Sequence, residues 1–190
     1  GVHLEQAVSK IEQTGSSQWN LNLGDAEATE SFDGVIIATP AHVSARLLHA
    51  TSAELSQSLA SIESASSVVV TCAYALDQIK RKLDGFGFVV PATEGRMILA
   101  GSFLSVKFPG RAPKDAALIR VFLGGALQSE LVQRSDSQLT QIVQQELGEL
   151  LGTEGEPMHV DVARWHQAMP QYHVGHFQRV EQIEEMTAQH

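Results

Sequence analysis

The sequence predicts an α+β fold, a mostly antiparallel mixed sheet flanked by helices. Three observations carry this expectation. Four segments, Ser67–Leu76, Gly85–Pro91, Arg96–Phe103 and Leu118–Leu123, follow one another with the period-two pattern of strands. One long segment after them, Ser135–Leu151, has helical period. The first 42 residues read as small β elements belonging to a different sheet, of nucleotide-binding type.

Taken in order, Val8 and Ile11 flank a first strand, and Thr14-Gly15-Ser16-Ser17 is a turn cluster. Trp19, Leu21 and Leu23 alternate with polar residues as a half-buried strand does, and Gly24-Asp25 suggests the next turn. Phe32 to Ala38 is a short apolar run, predicted as a strand buried on both faces. Thr39 then stands as helix N-cap with Pro40 in the first turn, and Val43, Leu47 and Leu48 supply an apolar face. A second helix is predicted from Ser52 to Ile62 through Leu55, Leu59 and Ile62. The long helix opens on Ser135-Asp136-Ser137, carries Leu139, Ile142, Val143, Leu147 and Leu150 on one side, and stops at Gly152. Met158–Trp165 is the last predicted strand, and a Gln/Glu-rich helix starts near His176. No internal repeat or low-complexity segment interrupts this order.

The balance of 22 acidic against 13 basic residues gives a formal charge of −9. That disfavours a non-specific grip on nucleic acid or anionic lipid, whose phosphates need a basic patch. Cys72 is the single cysteine, so neither an intramolecular disulfide nor a thiolate zinc cage can form. The N-terminal residues show no basic stretch leading into an apolar one, as a secretory signal would. The chain opens inside a strand pattern without an initiating methionine, and we expect it to be a piece of a longer protein.

The common catalytic signatures are missing. Gly85-Phe86-Gly87 and Gly124-Gly125 do not continue to a third glycine opening a helix, so both read as turn or close-packing glycines. No Gly-x-Ser-x-Gly elbow offers a nucleophile. Cys72 sits in an apolar strand as a small core residue. His166, His173 and His176 lie close together, but without the spacing of a helical pair or an acidic co-ligand, and no metal site is expected. Lys80-Arg81-Lys82 reads as a solvated turn, and no acid–base pair stands out.

Three stretches, taken together, resemble one family. Phe32-Asp33-Gly34-Val35-Ile36-Ile37-Ala38-Thr39-Pro40-Ala41-His42 is similar to the strand and turn that pass near the flavin in flavin-containing amine oxidase relatives. Phe108-Pro109-Gly110-Arg111-Ala112-Pro113, followed by Leu118 to Gly125, resembles the middle of protoporphyrinogen oxidases. The most specific is Arg164-Trp165-His166-Gln167-Ala168-Met169-Pro170-Gln171-Tyr172-His173-Val174-Gly175-His176. It is similar, nearly position for position, to the stretch before the last FAD-binding segment of bacterial protoporphyrinogen or coproporphyrinogen oxidases. The resemblance covers essentially the whole chain.

It implies a two-electron flavoenzyme of haem synthesis that oxidises a porphyrinogen to the porphyrin, with molecular oxygen reoxidising FAD. The cofactor carries the redox chemistry and the protein supplies orientation and a dry cavity, so no acid–base pair is needed. It also implies a division into FAD-binding strands over 1–42, a substrate-binding domain over 43–170, and a helix over 171–190 returning to the FAD-binding domain. Val8 matches a position that contacts the FAD adenine through backbone groups, with a core strand residue as its alternative. Trp165 matches a position against the flavin, and could equally be a core tryptophan. The tetrapyrrole cavity would be lined by Val89, Phe122 and either Ser102 or Phe103, where the match slips by one residue; Phe103 is the primary choice. No catalytic residue is assigned.

Strand periodicity adds Arg120. Positions i and i+2 share a face, so Leu118, Arg120 and Phe122 point one way while Ile119, Val121 and Leu123 point the other. If Phe122 faces the cavity, Arg120 borders it and can meet a tetrapyrrole carboxylate; a surface or structural ion pair is the alternative.

Because the family's Gly-x-Gly-x-x-Gly is absent, the chain by itself is expected neither to hold FAD tightly nor to turn over. A carotenoid desaturase or polyamine oxidase, and a non-catalytic tetrapyrrole-binding module, are the competing readings. Protoporphyrinogen and coproporphyrinogen stay undistinguished, as does the oligomeric state. The expected location is cytoplasmic; the resemblance leaves peripheral association at the inner membrane face open, although no amphipathic helix with a basic face is seen.

Overall fold

The computed structural model describes residues 1–15, 18–24 and 28–190. The chain divides into two units, one made of Gly1–Glu63 with Pro170–His190 and the other of Ser64–Met169.

In the first unit, β1 (Val8–Thr14), β2 (Gln18–Leu23) and β3 (Ala28–Phe32) form an antiparallel three-stranded sheet in the order β1-β2-β3. The alternation of Trp19, Leu21 and Leu23 is satisfied by pairing to Gln13, Ile11 and Val8. Ser16, Ser17 and Asp25, placed in turns by the sequence, lie outside the described residues. The apolar run from Phe32 to Ala38 behaves differently from its prediction. Pairing stops at Phe32, and 34–38 takes no strand conformation, with Ile36 almost fully exposed. A strand exists only where neighbouring strands take its N–H and C=O groups, and the three-stranded sheet closes before this segment.

Helix α1 (Ala41–Leu48) starts one residue later than the Thr-Pro pattern suggests. Pro40 itself is the N-cap and no side chain caps the helix; the Thr39 hydroxyl is instead 2.8 Å from that of Ser44. Helix α2 (Ala53–Ala60) is capped by Ser52, whose Oγ accepts from the Leu55 N–H. The two helices are joined by the buried Ser56 hydroxyl, which donates to the Ala45 carbonyl at 2.7 Å.

In the second unit, β4 (Ser64–Ala75), β5 (Gly87–Val89), β6 (Ile98–Phe103), β7 (Ala116–Gly124) and β8 (His159–Pro170) form a five-stranded sheet in the order β5-β6-β7-β4-β8. A single turn of helix, α3 (Leu104–Lys107), follows β6. Helix α4 (Asp136–Leu151) covers one face of the sheet, and Val68, Val70, Cys72, Tyr74, Ile119, Val121 and Leu123 meet its Leu139, Val143 and Leu147 in a closed core. Both ends of α4 are written in the sequence. Ser135 and Gln138 form a reciprocal capping box, and Gly152 adopts φ 66°, a left-handed conformation that favours glycine. The basic run Lys80-Arg81-Lys82 also has work at this end. The Lys80 and Arg81 N–H groups bond the Gly152 and Leu151 carbonyls, and the Arg81 guanidinium reaches that of Leu150. Cations at a helix C-terminus complement its dipole. Helix α5 (His176–Thr187) belongs to the first unit.

Candidate functional site

Directly opposed residues of antiparallel strands project to the same side of a sheet. In the second unit one such row is Val89, Ala100, Phe122 and Val69, across β5, β6, β7 and β4. The neighbouring row is Gly87, Ser102, Arg120 and Thr71, and beyond it Leu118 opposes Ala73. These residues form the face turned away from α4. On β8, Val160 and Val162 pack against the core and the Arg164 guanidinium bonds the Val132 and Arg134 carbonyls on that same side. Alternation therefore puts Trp165 on the outer face, where it is 56% exposed.

The outer face is open to solvent and apolar along the row through Phe122. Val89 is 81% exposed, and Gly87, Val89, Ser102, Lys107 and Phe122 line a shallow depression open to solvent. The face joins four of the residues singled out from the sequence, Val89, Arg120, Phe122 and Trp165. Trp165 is thus not a core residue. Phe103 is a correction: it is 5% exposed, stands opposite Ile119 on the core side, and tilts at 55° to Phe88 with ring centroids 6.0 Å apart. A shift of one residue along a strand moves a side chain to the opposite face. Ser102, the alternative at that point, occupies the outer face.

Val8 lies in the first unit. It is half-buried opposite Leu23 on β1, an edge strand with an irregular register between Val8 and Lys10. An edge strand directs a row of backbone N–H and C=O groups away from its neighbour. One of these, the Ile11 carbonyl, accepts from the Thr51 hydroxyl at 3.1 Å.

Thr71 escaped the sequence reading, and Ser102 stood there only as the alternative to Phe103, because cross-strand register is set by pairing partners, which no local pattern encodes. A second cluster, Arg96 with Glu146 and Glu149, is structural. Arg96 Nη1 lies 2.8 and 2.9 Å from the two carboxylates, and Glu146 Oε1 also accepts the Met97 N–H. The hydrogen bond from Arg96, reinforced by Gln145, holds the Glu149 carboxyl below its ordinary range. Cys72 is fully buried and burial pushes its thiol up to about 11, away from nucleophilic use. Among the described residues no three His, Cys, Asp or Glu side chains converge on one point. His173 instead faces Glu63 at 3.0 Å.

Residues 1–187 match the family described as flavin containing amine oxidoreductase. The chain is 32% identical over 187 residues to coproporphyrinogen III oxidase of Bacillus subtilis (strain 168), covering 98% of this chain and 39% of that one. It is 37% identical over 123 residues to protoporphyrinogen oxidase 2 of Arabidopsis thaliana, 63% of this chain and 24% of that one. The chain therefore spans well under half the length of these relatives. A crystal structure from Exiguobacterium sp. 255-15, provisionally described as a protoporphyrinogen oxidase, superimposes with a TM-score of 0.77 at 29% identity over 99% of this chain and 40% of that one. Cyclohexylamine oxidase of Brevibacterium oxydans shares the fold at 16% identity and a TM-score of 0.64, over 92% of this chain and 39% of its own. By the extent of the family match, this chain belongs to the flavin-containing amine oxidoreductases.

Proposed function

We propose that the chain is the substrate-binding part, with strands of the FAD-binding part, of an oxidase that converts protoporphyrinogen IX or coproporphyrinogen III to the porphyrin in haem synthesis, with molecular oxygen as acceptor. The observation that carries this reading is the outer face of the five-stranded sheet. Val89, Ala100 and Phe122 offer an open apolar surface suited to a planar macrocycle. The relatives named for porphyrinogen substrates support the same choice.

The edge backbone of β1 around Val8 suits the hydrogen-bonding rim of an adenine, and the exposed indole of Trp165 suits the flat flavin ring. The glycine fingerprint for the pyrophosphate is not in this sequence. When bound, FAD would supply two-electron acceptor chemistry. The chain's own side chains bind and orient: Val89 and Phe122 hold the apolar ring. On this reading the FAD-binding strands span 1–42, substrate binding 43–170 and the returning helix 171–190, with residues 43–63 packed in the first unit.

The test is anaerobic addition of protoporphyrinogen IX or coproporphyrinogen III to the full-length protein, followed by admission of oxygen. Porphyrin fluorescence should rise together with oxygen uptake. Turnover of putrescine or phytoene, with neither porphyrinogen oxidised, would overturn the proposal. No helix of the described residues is long and apolar enough to cross a membrane. The reading places the protein in the cytoplasm, and flotation with anionic vesicles tests for peripheral contact with the inner membrane face.

A further inference from the structure

Arg120 stands in the middle of the outer face, flanked on β6 by Ser102 and on β4 by Thr71, both directly opposite it. These are two hydroxyls and a guanidinium in one row, beside the apolar row of Val89, Ala100, Phe122 and Val69; the alternation that puts Trp165 on this face puts Asp161 there as well. The second unit has three half-buried arginines, and two of them hold carboxylates. Arg96 holds Glu146 and Glu149, and Arg164 holds Asp136 and two carbonyls. The guanidinium of Arg120 pairs with no carboxylate among the described residues, and its buried Nε–H finds no acceptor. A buried donor without an acceptor is costly and calls for a partner that the chain alone does not provide. The Ser102 hydroxyl is not tightly held either, since its contact with the Phe86 carbonyl is 3.5 Å, long for an O–H···O bond.

We infer that the Ser102–Arg120–Thr71 row is a carboxylate-binding subsite, which orients a planar apolar ligand on the sheet by one of its acidic side chains. The inference rests on the tetrapyrrole reading above and names the contact that turns a non-directional apolar face into an oriented one. A guanidinium fork matches a carboxylate bidentately, and flanking hydroxyls can donate to the same oxygens. The apolar row one step along the strands, through Phe122, receives the ring.

The experiment uses the full-length protein and two probes, coproporphyrin III and its tetramethyl ester, titrated by fluorescence against wild type and Arg120→Met. The acid should bind the variant roughly tenfold more weakly, the scale of one charge-assisted hydrogen bond, while the ester binds both equally. Without ligand, the Tm of Arg120→Met should equal or exceed that of wild type, because the variant removes an unpartnered buried donor. A lowered Tm, or equal weakening for acid and ester, would make Arg120 a structural residue and overturn the inference. Unchanged binding of the acid would overturn it too, and in these cases the tetrapyrrole reading survives. If wild type binds neither probe, the reading itself fails and takes the subsite with it.

Discussion

A ligand site on the outer face requires β7 and β5 to turn Phe122 and Val89 away from α4, and one pair of substitutions tests that directly. Leu123 is fully buried on the core side, opposite Val68 on β4 and Ile98 on β6, which are themselves buried. Truncation to alanine leaves a cavity between two strands whose backbones are fixed by pairing on both sides, so little collapse can fill it. Buried Leu→Ala changes cost about 2–5 kcal/mol, and a site so braced falls in the upper half, at ~3–4 kcal/mol. For a unit of this size that lowers Tm by on the order of 12 °C or more. Val89 is 81% exposed on the outer face, and Val89→Ala should cost less than about 0.5 kcal/mol. The two tryptophans lie one in each unit, so Trp165 fluorescence in a Trp19→Phe background reports the second unit alone. Urea unfolding followed this way should separate the variants clearly. A loss under about 1 kcal/mol for Leu123→Ala, or comparable losses for both, would show that the assigned faces are wrong. The outer-face site would fall with them.

Three further outcomes follow from local chemistry. Burial raises the Cys72 thiol from 9.0 to about 11 and the Tyr74 phenol from 10.0 to about 12. Each group ionises first in the unfolded chain, so stability is complete below pH 9 and falls as pH rises towards 12; Cys72→Ala should flatten the part between 9 and 11 in pH-dependent denaturation, and an unchanged profile would refute the assignment. Gly87 has φ 150°, and a Cβ there would lie 2.1 Å from the Gly101 carbonyl oxygen. Gly87→Ala should therefore detach β5, seen as faster hydrogen exchange over 87–89 with β4 and β7 unchanged, whereas unaltered exchange would contradict the close approach. Glu146→Ala removes the acceptor for both Arg96 and the Met97 N–H, while Glu149→Ala removes an exposed partner only. Thermal melts should show the larger Tm loss for Glu146→Ala, and equal losses would deny the buried carboxylate its bridging role.

Elements that satisfy their own hydrogen bonds were the most legible. Helix α4 needs only its internal ladder, so the apolar period with Ser135 and Gly152 at its ends delimits it almost to the residue. Strands β4 and β7 were legible as β-branched and apolar runs between turn signals, and their burial alternates, one face toward α4 and one away. The run from Phe32 to Ala38 misled for the opposite reason. Its composition is that of a buried strand, but strand formation is decided by neighbours rather than by composition. The Thr39-Pro40 pattern erred by one residue because the Thr39 hydroxyl is engaged with Ser44 instead of capping the helix.

The site shows the same division at finer scale. Alternation along β7 correctly separates Arg120 and Phe122 from Ile119 and Val121, since it asks only about residues two apart on one strand. The choice between Ser102 and Phe103 needs the phase of β6 against β7, and that phase is set by pairing. The register itself shifts between Ile98 and Ala100, so counting inward from the start of the strand puts the wrong residue on the face. Size and hydrophobicity favour Phe103 for an apolar cavity, yet the same properties draw it into the core against Phe88. Ser102 is left beside Arg120, and the misplacement concealed the polar row beside the apolar one. A carboxylate subsite is therefore invisible to motif reading: its three members come from three strands, 31 and 18 residues apart in sequence order. Only the pairing of β4, β7 and β6 makes them neighbours.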